Sequence, residues 1–347
     1  MLRLLASLIL IFSLSLVLML GIGSRLPSAG QIVFGSLAAG DMNLYLLDVP
    51  SRLTARITWG AGDESQADWS PDGNALMYVT TTLEGPAITR QQVFCDSLWI
   101  TCDRKPQPLT ADLEVAQPDW SPDGAWIVFQ MRAEGMTGQR LARLPADCRV
   151  MKPACEPQML TLTSRSNQLQ PNWSPDGLWI AFAGDLGESF NTDLYIVPAA
   201  CFDPCAERIQ QVFSGLTNDL YPQWSPDGRW LSFNYTMRSR MRVGLIDMVE
   251  RRAAQRIDTG FDWVEMPAWS PQGDRLALVI YRRQQGDLYL YRLDCEGDPR
   301  RCLTRLTRDR WVEVAPAWRP SGTTSPLQPL QQAVPRFHIP LTKTHKP

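Results

Sequence analysis

The sequence predicts an all-β fold, a six-bladed β-propeller. One five-residue motif, Trp-Ser-Pro-Asp-Gly in its full form, occurs six times. Between the copies, apolar and polar residues alternate as they do in β-strands. The last two copies read Trp-Ser-Pro-Gln-Gly and Trp-Arg-Pro-Ser-Gly, and the tryptophans are 51, 53, 51, 45 and 49 residues apart. Units of that length with four short strands each are typical of propeller blades. The copies begin at Trp69, Trp120, Trp173, Trp224, Trp269 and Trp318.

Residues 1–23 precede the repeats as an export segment. Arg3 is followed by the uncharged, largely apolar run Leu4–Gly23. A membrane helix needs about 20 such residues and a signal-peptide core about 7–15, so the length favours an uncleaved anchor helix. A cleaved signal peptide stays open, because Ser28-Ala29-Gly30 is a small-residue site. The expected location is a membrane-anchored propeller outside the cytoplasm, periplasmic or at the cell surface, or a secreted one after cleavage.

Within one repeat, four strands can be assigned. Tyr221–Trp224 is short and extended, and the Ser-Pro-Asp-Gly turn follows, with Gly supplying a positive φ. Arg229–Tyr235 alternates with period two, and Arg242–Ile246 and Ala254–Ile257 supply the third and fourth strands. Six equivalent tryptophans indicate core residues at blade contacts rather than six ligand-stacking sites, and the Asp of each turn indicates a turn residue.

The chain ends predict a closed ring. Gln31–Phe34, Asn43–Leu47 and Ala55–Thr58 resemble strands two to four of a blade without its first strand, which Ala315–Trp318 can supply. Closure removes sheet edges that otherwise promote aggregation. The predicted domains are the export segment, a linker at 24–30, a propeller at 31–322 and a Pro-rich disordered tail at 323–347.

Eight cysteines form four local pairs, which behind an export segment favour disulfides. Zinc is the competing interpretation, but the spacings are wider than usual for zinc and no histidine lies near. Each pair is expected to staple the connection between the third and fourth strands of its blade. The pairs are Cys95 with Cys102, Cys148 with Cys155, Cys201 with Cys205, and Cys295 with Cys302.

The repeat is similar to a known family. Leu109-Thr110 before Pro118–Gly124, and Leu216-Thr217 before Pro222–Gly228, resemble the WD40-like (PD40) repeats of TolB-type β-propellers. The resemblance covers about residues 31–322. It implies an extracytoplasmic six-bladed scaffold that binds another envelope or secreted protein.

The residue types argue against common chemistries. The only histidines, His338 and His345, lie in the tail, so the propeller has no His-based triad, base or metal ligand. The net charge of −2 gives no basic face for nucleic acid. We therefore expect a non-catalytic protein-binding scaffold without cofactor or metal. The alternative is a propeller that binds or acts on carbohydrate or another small ligand through channel carboxylates alone.

Five acids form the candidate binding site. They precede successive tryptophans by four to six residues, where the chain crosses one face near the channel, and Asn167 or Gln168 takes their place in the third repeat. Such a ring could attract a basic peptide or a cation. The competing interpretation is ordinary solvated acidic loops. The acids are Glu64, Glu114, Asp219, Glu265 and Glu313.

Overall fold

A computed structural model describes most of the chain between residues 30 and 321. The positions left out inside that span are 61, 94–104, 112, 133–134, 136, 149–155, 161–165, 187–190, 202–207, 215–216, 251, 258, 283–284, 296–297 and 309, and for 252–255 only the backbone is described. The predicted anchor helix, the linker up to residue 29 and the predicted tail lie outside the described residues. Within the described part, no helix is long and apolar enough to cross a bilayer.

The described residues form six antiparallel four-stranded sheets, which confirms the six-bladed propeller. The first three blades follow each other along the chain. Their strands are, for blade 1, β4 (Asp63–Trp69), β5 (Ala75–Thr82), β6 (Gly85–Gln92) and β7 (Gln107–Pro108); for blade 2, β8 (Glu114–Trp120), β9 (Trp126–Arg132), β10 (Arg140–Pro145) and β11 (Gln158–Met159); for blade 3, β12 (Gln168–Trp173), β13 (Trp179–Gly184), β14 (Asp193–Pro198) and β15 (Gln210–Phe213).

The remaining blades complete the ring, and the sixth combines the two chain ends. Their strands are, for blade 4, β16 (Asp219–Trp224), β17 (Trp230–Met237), β18 (Arg240–Asp247) and β19 (Arg252–Ile257); for blade 5, β20 (Val264–Trp269), β21 (Arg275–Arg282), β22 (Gln285–Arg292) and β23 (Leu303–Arg305); for blade 6, β24 (Glu313–Trp318), β1 (Gln31–Ser36), β2 (Asn43–Asp48) and β3 (Leu53–Arg56). The first strand of each blade lies innermost, and the inner strands contact one another in cyclic order.

The predicted closure is confirmed by the pairing of β1 with β24. Ile32 lies opposite Trp318, and Ser36 lies opposite Glu313. Arg319 adds a clasp, although it stands where the full repeat has Ser. Its Nε donates to the carbonyl of Gly73 at 2.7 Å, and its Nη1 donates to Oε1 of Gln31 at 2.9 Å. One buried side chain therefore ties the last turn to the first turn and to the first strand.

Each repeated tryptophan packs against the preceding blade. Trp120 lies in a cluster with Met77 and Ile88 of blade 1, and Trp69 lies with Val33 and Leu44 of blade 6. The same holds for Trp173, Trp224, Trp269 and Trp318. An aromatic side chain buries a large apolar area, so these contacts supply much of the attraction between blades.

The repeated turns are built by their own side chains. In the second repeat, the hydroxyl of Ser121 bonds to Asp123, Asp123 accepts from the amide of Ala125, and Gly124 has a φ of 72°. In the degenerate fifth repeat, Asp274 takes over the bond from the Ser270 hydroxyl at 2.9 Å. The motif therefore describes a self-capped turn whose glycine occupies the left-handed region.

One predicted disulfide is described in full. Cys295 and Cys302 are bonded across a sequence separation of 7 in the connection between β22 and β23, as expected. Cys148 and Cys201 are also disulfide-bonded. Their predicted partners, Cys155 and Cys205, lie outside the described residues.

The predicted disulfide of blade 1 is not tested by the structure. Cys95 and Cys102 both fall within residues 94–104, which lie outside the described part of the chain. That range belongs to the connection between β6 and β7, the third and fourth strands of the blade. The bond between Cys95 and Cys102 therefore stays a prediction from the sequence.

Candidate functional site

The inner strands are not regular, and their irregularity shapes the channel. Each carries a register shift at a residue three positions before the repeated tryptophan. All six of these non-glycine residues have a φ between 48° and 55°. Such bulges turn side chains in new directions and are frequent beside functional sites. The bulge residues are Gln66, Gln117, Gln170, Tyr221, Met266 and Ala315.

Side chains from the neighbouring blade hold the bulges in place. The amide of Gln117 donates to Oε1 of Gln66 at 2.7 Å, and that of Tyr221 donates to Oε1 of Gln170 at 2.8 Å. The amide of Met266 donates to Oδ1 of Asn234 at 2.8 Å. These bonds satisfy backbone donors that would be costly to leave unpaired.

A second ring of cross-blade bonds involves the residue just before each tryptophan. Asp68 accepts from the amide of Trp120 at 3.0 Å, and Asp119 accepts from that of Trp173 at 2.7 Å. Asn172 repeats the pattern by accepting from the amide of Trp224 at 2.8 Å. Half of the ring is therefore held by side-chain oxygens of blades 1, 2 and 3.

Two of the remaining three joints use a different bond. The indole of Trp269 donates to the carbonyl of Gln223, and the indole of Trp318 donates to that of Ala268, both at 3.1 Å. The residues before the tryptophans in blades 4, 5 and 6 are Gln223, Ala268 and Ala317. At this level of the channel, the two acids therefore lie on one side, and the residues on the other side are uncharged.

Asp68 and Asp119 form a partly buried acid pair in the channel wall. Burial raises the pKa of Asp68 to about 6, against the hydrogen bond from Trp120. Burial and then the charge of Asp68 raise the pKa of Asp119 well above its ordinary value, although the amide of Trp173 and the side chain of Asn172 bond to it. Two carboxylates this close disfavour double ionisation, so the pair tends to retain a proton.

The channel opens on the turn face into a funnel of about 1210 Å³. The turn face carries the repeated turns and the cysteine-containing connections. The funnel is lined mainly by the tryptophans and prolines of the repeats, with Trp126, Arg143 and Ala200 at its side. Arg143 lies over the ring of Trp126, 4.1 Å from its centre, and donates to the carbonyl of Ala199 at 3.0 Å.

A smaller cavity of about 430 Å³ lies toward the opposite face, which we call the loop face because each blade's fourth strand connects there to the next inner strand. The bulge residues Gln66, Gln117, Tyr221 and Met266 line it. Asp68 and Asp119 line both this cavity and the funnel. The acid pair therefore stands where the two halves of the channel meet.

Three of the five predicted acids are buried rather than presented at a channel mouth. Glu64, Asp219 and Glu313 stand five residues before their tryptophans and are at most 2% exposed. Glu313 accepts from the amide of Leu288 at 3.0 Å and from the hydroxyl of Thr307, and so ties β24 to blade 5. Glu64 accepts from the amide of Gly60 at 2.8 Å.

The other two acids are more accessible. Glu114 is half-exposed and forms a salt bridge with Arg132. Glu265, four residues before Trp269, is half-buried and accepts from the indole of Trp263. Asn167 bonds to Asp185 on the adjacent hairpin, and Gln168 is buried. The five acids therefore do not form one solvent-facing ring, and a binding role for them stays a prediction.

The sequence analysis did not single out Asp68, Asp119 or the bulge residues. A signal for the acid pair was present, because the residue before the repeated Trp reads Asp, Asp, Asn, Gln, Ala and Ala around the ring. Among the described residues, no group of three or more His, Cys, Asp or Glu side chains is placed to hold a metal ion.

No family model matches the chain. It is 25% identical over 279 residues to an uncharacterized protein of Agrobacterium fabrum, covering 77% of this chain and 85% of that one. It is 24% identical over 245 residues to the Tol-Pal system protein TolB of Francisella tularensis, covering 70% of this chain and 52% of the relative. The crystal structure of TolB from Acinetobacter baumannii superposes with a TM-score of 0.66 at 18% identity, covering 84% of this chain and 67% of that one.

This propeller is TolB-like. The resemblance drawn from the repeats is thereby confirmed at the level of the fold. The match spans about half the length of the Francisella TolB, so the activities and partners of the whole TolB protein do not transfer with the fold.

Proposed function

We propose that this TolB-like propeller is a non-catalytic, extracytoplasmic scaffold that binds another envelope or secreted protein through the funnel. The observation that carries the proposal is the funnel itself, about 1210 Å³ in volume and lined by the prolines of the repeats and by the edges of the largely buried tryptophans. Small-molecule pockets occupy about 300–1,000 Å³, so an opening of this size suits a protein segment better.

The composition of the funnel supports the same proposal. Aromatic residues and Arg are enriched in the buried centres of protein interfaces, and Trp and Arg are frequent hot spots. The funnel offers partly exposed Trp126 with Arg143 stacked on it, and the exposed prolyl ring of Pro226 lines the same funnel. The backbone around them is held by the capped turns, so little ordering is needed on binding.

The kinship to TolB supports a role at the cell envelope. The Francisella relative is named for the Tol-Pal system, and the predicted export segment and paired cysteines point to the same compartment. We infer an extracytoplasmic location with the chain held at the membrane by its N-terminal segment, or released if that segment is cleaved.

One observation favours a second candidate function. The pair Asp68 and Asp119 combines a carboxylate and a retained proton at the meeting point of the two cavities. Two carboxyl groups suffice for glycoside chemistry, so a carbohydrate-active propeller is the alternative. Turnover of an oligosaccharide by the wild-type chain, lost in Asp119→Asn, would favour it over the scaffold.

Affinity capture from an envelope extract tests the scaffold proposal. The wild-type chain is compared with the double variant Ala200→Arg/Pro226→Arg, which puts two large cations on exposed positions of the funnel. The matched control is Leu83→Arg, an exposed position on the loop face. We expect one partner that is retained by the wild type and the control and lost from the double variant.

The dependence on ionic strength distinguishes binding at the funnel from binding at the exposed acids. Contacts with tryptophan and proline depend little on salt, whereas attraction to Glu114 and Glu265 is screened at about 1 M salt. Capture that persists at high salt and fails in the double variant supports binding at the funnel. Capture by the wild type that vanishes at high salt contradicts binding at the funnel.

A further inference from the structure

Glu265 lies in an environment unlike that of the other predicted acids. It stands on β20 near the loop-face end of the channel and is half-buried. Its carboxylate accepts hydrogen bonds from the indole of Trp263 and from the hydroxyl of Tyr281. Glu114, by contrast, is paired with the cation of Arg132. The contacts that the structure gives Glu265 are aromatic donors.

The backbone holds these aromatic residues beside the acid. The amide of Tyr281 donates to the carbonyl of Trp263 at 3.1 Å, which extends the pairing of β20 with β21 by one step. A third aromatic, Tyr221, comes from the neighbouring inner strand and occupies its bulge with a φ of 53°. Trp263 and Tyr281 bond to the carboxylate of Glu265, and Tyr221 of the neighbouring blade lies within reach of its charge.

The charge of Glu265 acts on both tyrosines. Burial is the main cause that raises the pKa of Tyr281 to about 12, and the charge of Glu265 adds to it. Burial and the same charge raise the pKa of Tyr221. Both tyrosines thus stay neutral and keep their hydroxyl protons throughout the physiological range.

The cluster is open to a ligand. Trp263 is 40% exposed, and Tyr281 and Glu265 are half-buried. Tyr221 and Met266, the bulge residues on either side of Glu265, line the loop-face cavity of about 430 Å³. Because Glu265 and Trp263 are both accessible to solvent, a side chain that approaches the loop face can contact them.

The chemistry of this cluster selects a cation. An ionised carboxylate offers about four acceptor positions, and the two aromatic donors occupy two of them. Aromatic faces attract cations through their quadrupoles, and the attraction increases as water is excluded. An organic cation that can donate hydrogen bonds and also lie against aromatic rings therefore suits this cluster.

We propose that Glu265, Trp263, Tyr221 and Tyr281 form a binding site for a primary ammonium group, namely the lysine side chain of a protein segment that enters the loop-face mouth. A lysine ammonium has three donors on a long apolar stem, so it can donate to the carboxylate while its stem lies against the aromatic rings. A quaternary ammonium has no donor and could not bond to the carboxylate. This site is separate from the funnel, at the other end of the channel.

The test uses fluorine NMR of the full chain labelled with 5-fluorotryptophan. The signal of Trp263 is assigned among the thirteen tryptophans with Trp263→Phe. The probes are Nα-acetyl-lysine-N-methylamide, the uncharged norleucine analogue and tetramethylammonium. We expect a saturable shift of the Trp263 signal with the lysine probe and none with the norleucine analogue.

Variants locate the effect at the carboxylate. Glu265→Gln should weaken binding of the lysine probe by about tenfold or more, because a charge-assisted hydrogen bond is lost. The matched control, Glu114→Gln, removes an acid from the inner strand of blade 2 and should leave the affinity unchanged. The remaining tryptophan signals report whether each variant keeps its fold.

Three outcomes would overturn the proposal. These are no saturable shift with the lysine probe, equal binding of the norleucine analogue, or tighter binding of tetramethylammonium than of the lysine probe. The first two outcomes are measured on the wild-type chain alone, so the test remains decisive even if a variant misfolds. Partner capture through the funnel is measured separately, so either result can fail without the other.

Discussion

At the scale of single residues, the position before each repeated tryptophan decides how neighbouring blades are joined. Asp68, Asp119 and Asn172 accept the next blade's tryptophan amide, whereas Gln223 and Ala268 offer only their carbonyls to an indole. Asn172 shows that a neutral amide performs this structural task. The charge at Asp68 and Asp119 is therefore not required for the joint.

We predict that Asp68→Asn stabilises the protein at neutral pH. Asp68 has a pKa of about 6 when folded against an ordinary value of 3.8, so the folded state holds this proton more tightly than the unfolded chain. The contribution of this bound proton to the free energy of unfolding is complete below pH 4 and is lost as the pH rises through 6. The variant should gain about 2–3 kcal/mol over wild type at pH 7 and nothing at pH 4.

Urea unfolding of both proteins at pH 4, 5, 6 and 7 checks this expectation. Asp41→Asn, at an exposed position, controls for the change in net charge. If Asp68→Asn is less stable than the wild type at pH 7, the carboxylate is needed in its charged form and the buried-pair interpretation is wrong.

At the scale of elements, the bulge in each inner strand determines the shape of the channel wall. We predict that Gln66→Leu destabilises blade 2, because the amide of Gln117 loses its acceptor while it stays at a positive φ. An unpaired buried donor costs about 1–3 kcal/mol in the free energy of unfolding. Gln66→Glu, which keeps an acceptor oxygen, serves as the control, and hydrogen exchange at Gln117 measures the local effect.

The outer hairpin of blade 5 has its own support. We predict that the double variant Cys295→Ser with Cys302→Ser lowers the free energy of unfolding by about 2–3 kcal/mol, since the disulfide closes a short loop in the unfolded chain. The native connection should persist, because Asp298 caps the 3₁₀ turn Pro299–Cys302 through the amide of Arg300 at 3.0 Å. Denaturant titration of the double variant measures the loss, and unchanged stability would contradict the loop-closure argument.

At the scale of the molecule, the sequence predicted the architecture better than the site. The motif repeated from Trp69 to Trp318 predicted the position of every blade, and the strand around Phe34 predicted how the ring closes. The sequence could not show that the five acids differ in exposure, because their spacing of four to six residues mixes buried with exposed positions, which only a bulged strand distinguishes. The bulge residues differ in type, from Gln to Tyr and Ala, so their common φ leaves no pattern in the sequence.

Closure of the ring depends on one side chain that departs from the repeat. We predict that Arg319→Ser, which restores the full-repeat residue, lowers the free energy of unfolding by about 2–4 kcal/mol. The change removes the two charge-assisted bonds to Gly73 and Gln31. The exposed Arg292→Ser serves as the control. Equal stability of the two variants would show that the pairing of β1 with β24 closes the ring without the clasp.

The central claim is that the funnel is the surface at which another protein binds. Photo-crosslinking from a benzoylphenylalanine in place of Pro226, at the exposed edge of the funnel, tests it directly in the native envelope. The account predicts one discrete adduct from this position and none from the same residue in place of Leu83, which lies between β5 and β6 of blade 1 and does not line the loop-face cavity. An adduct from position 83 alone, or none from either position, would contradict it.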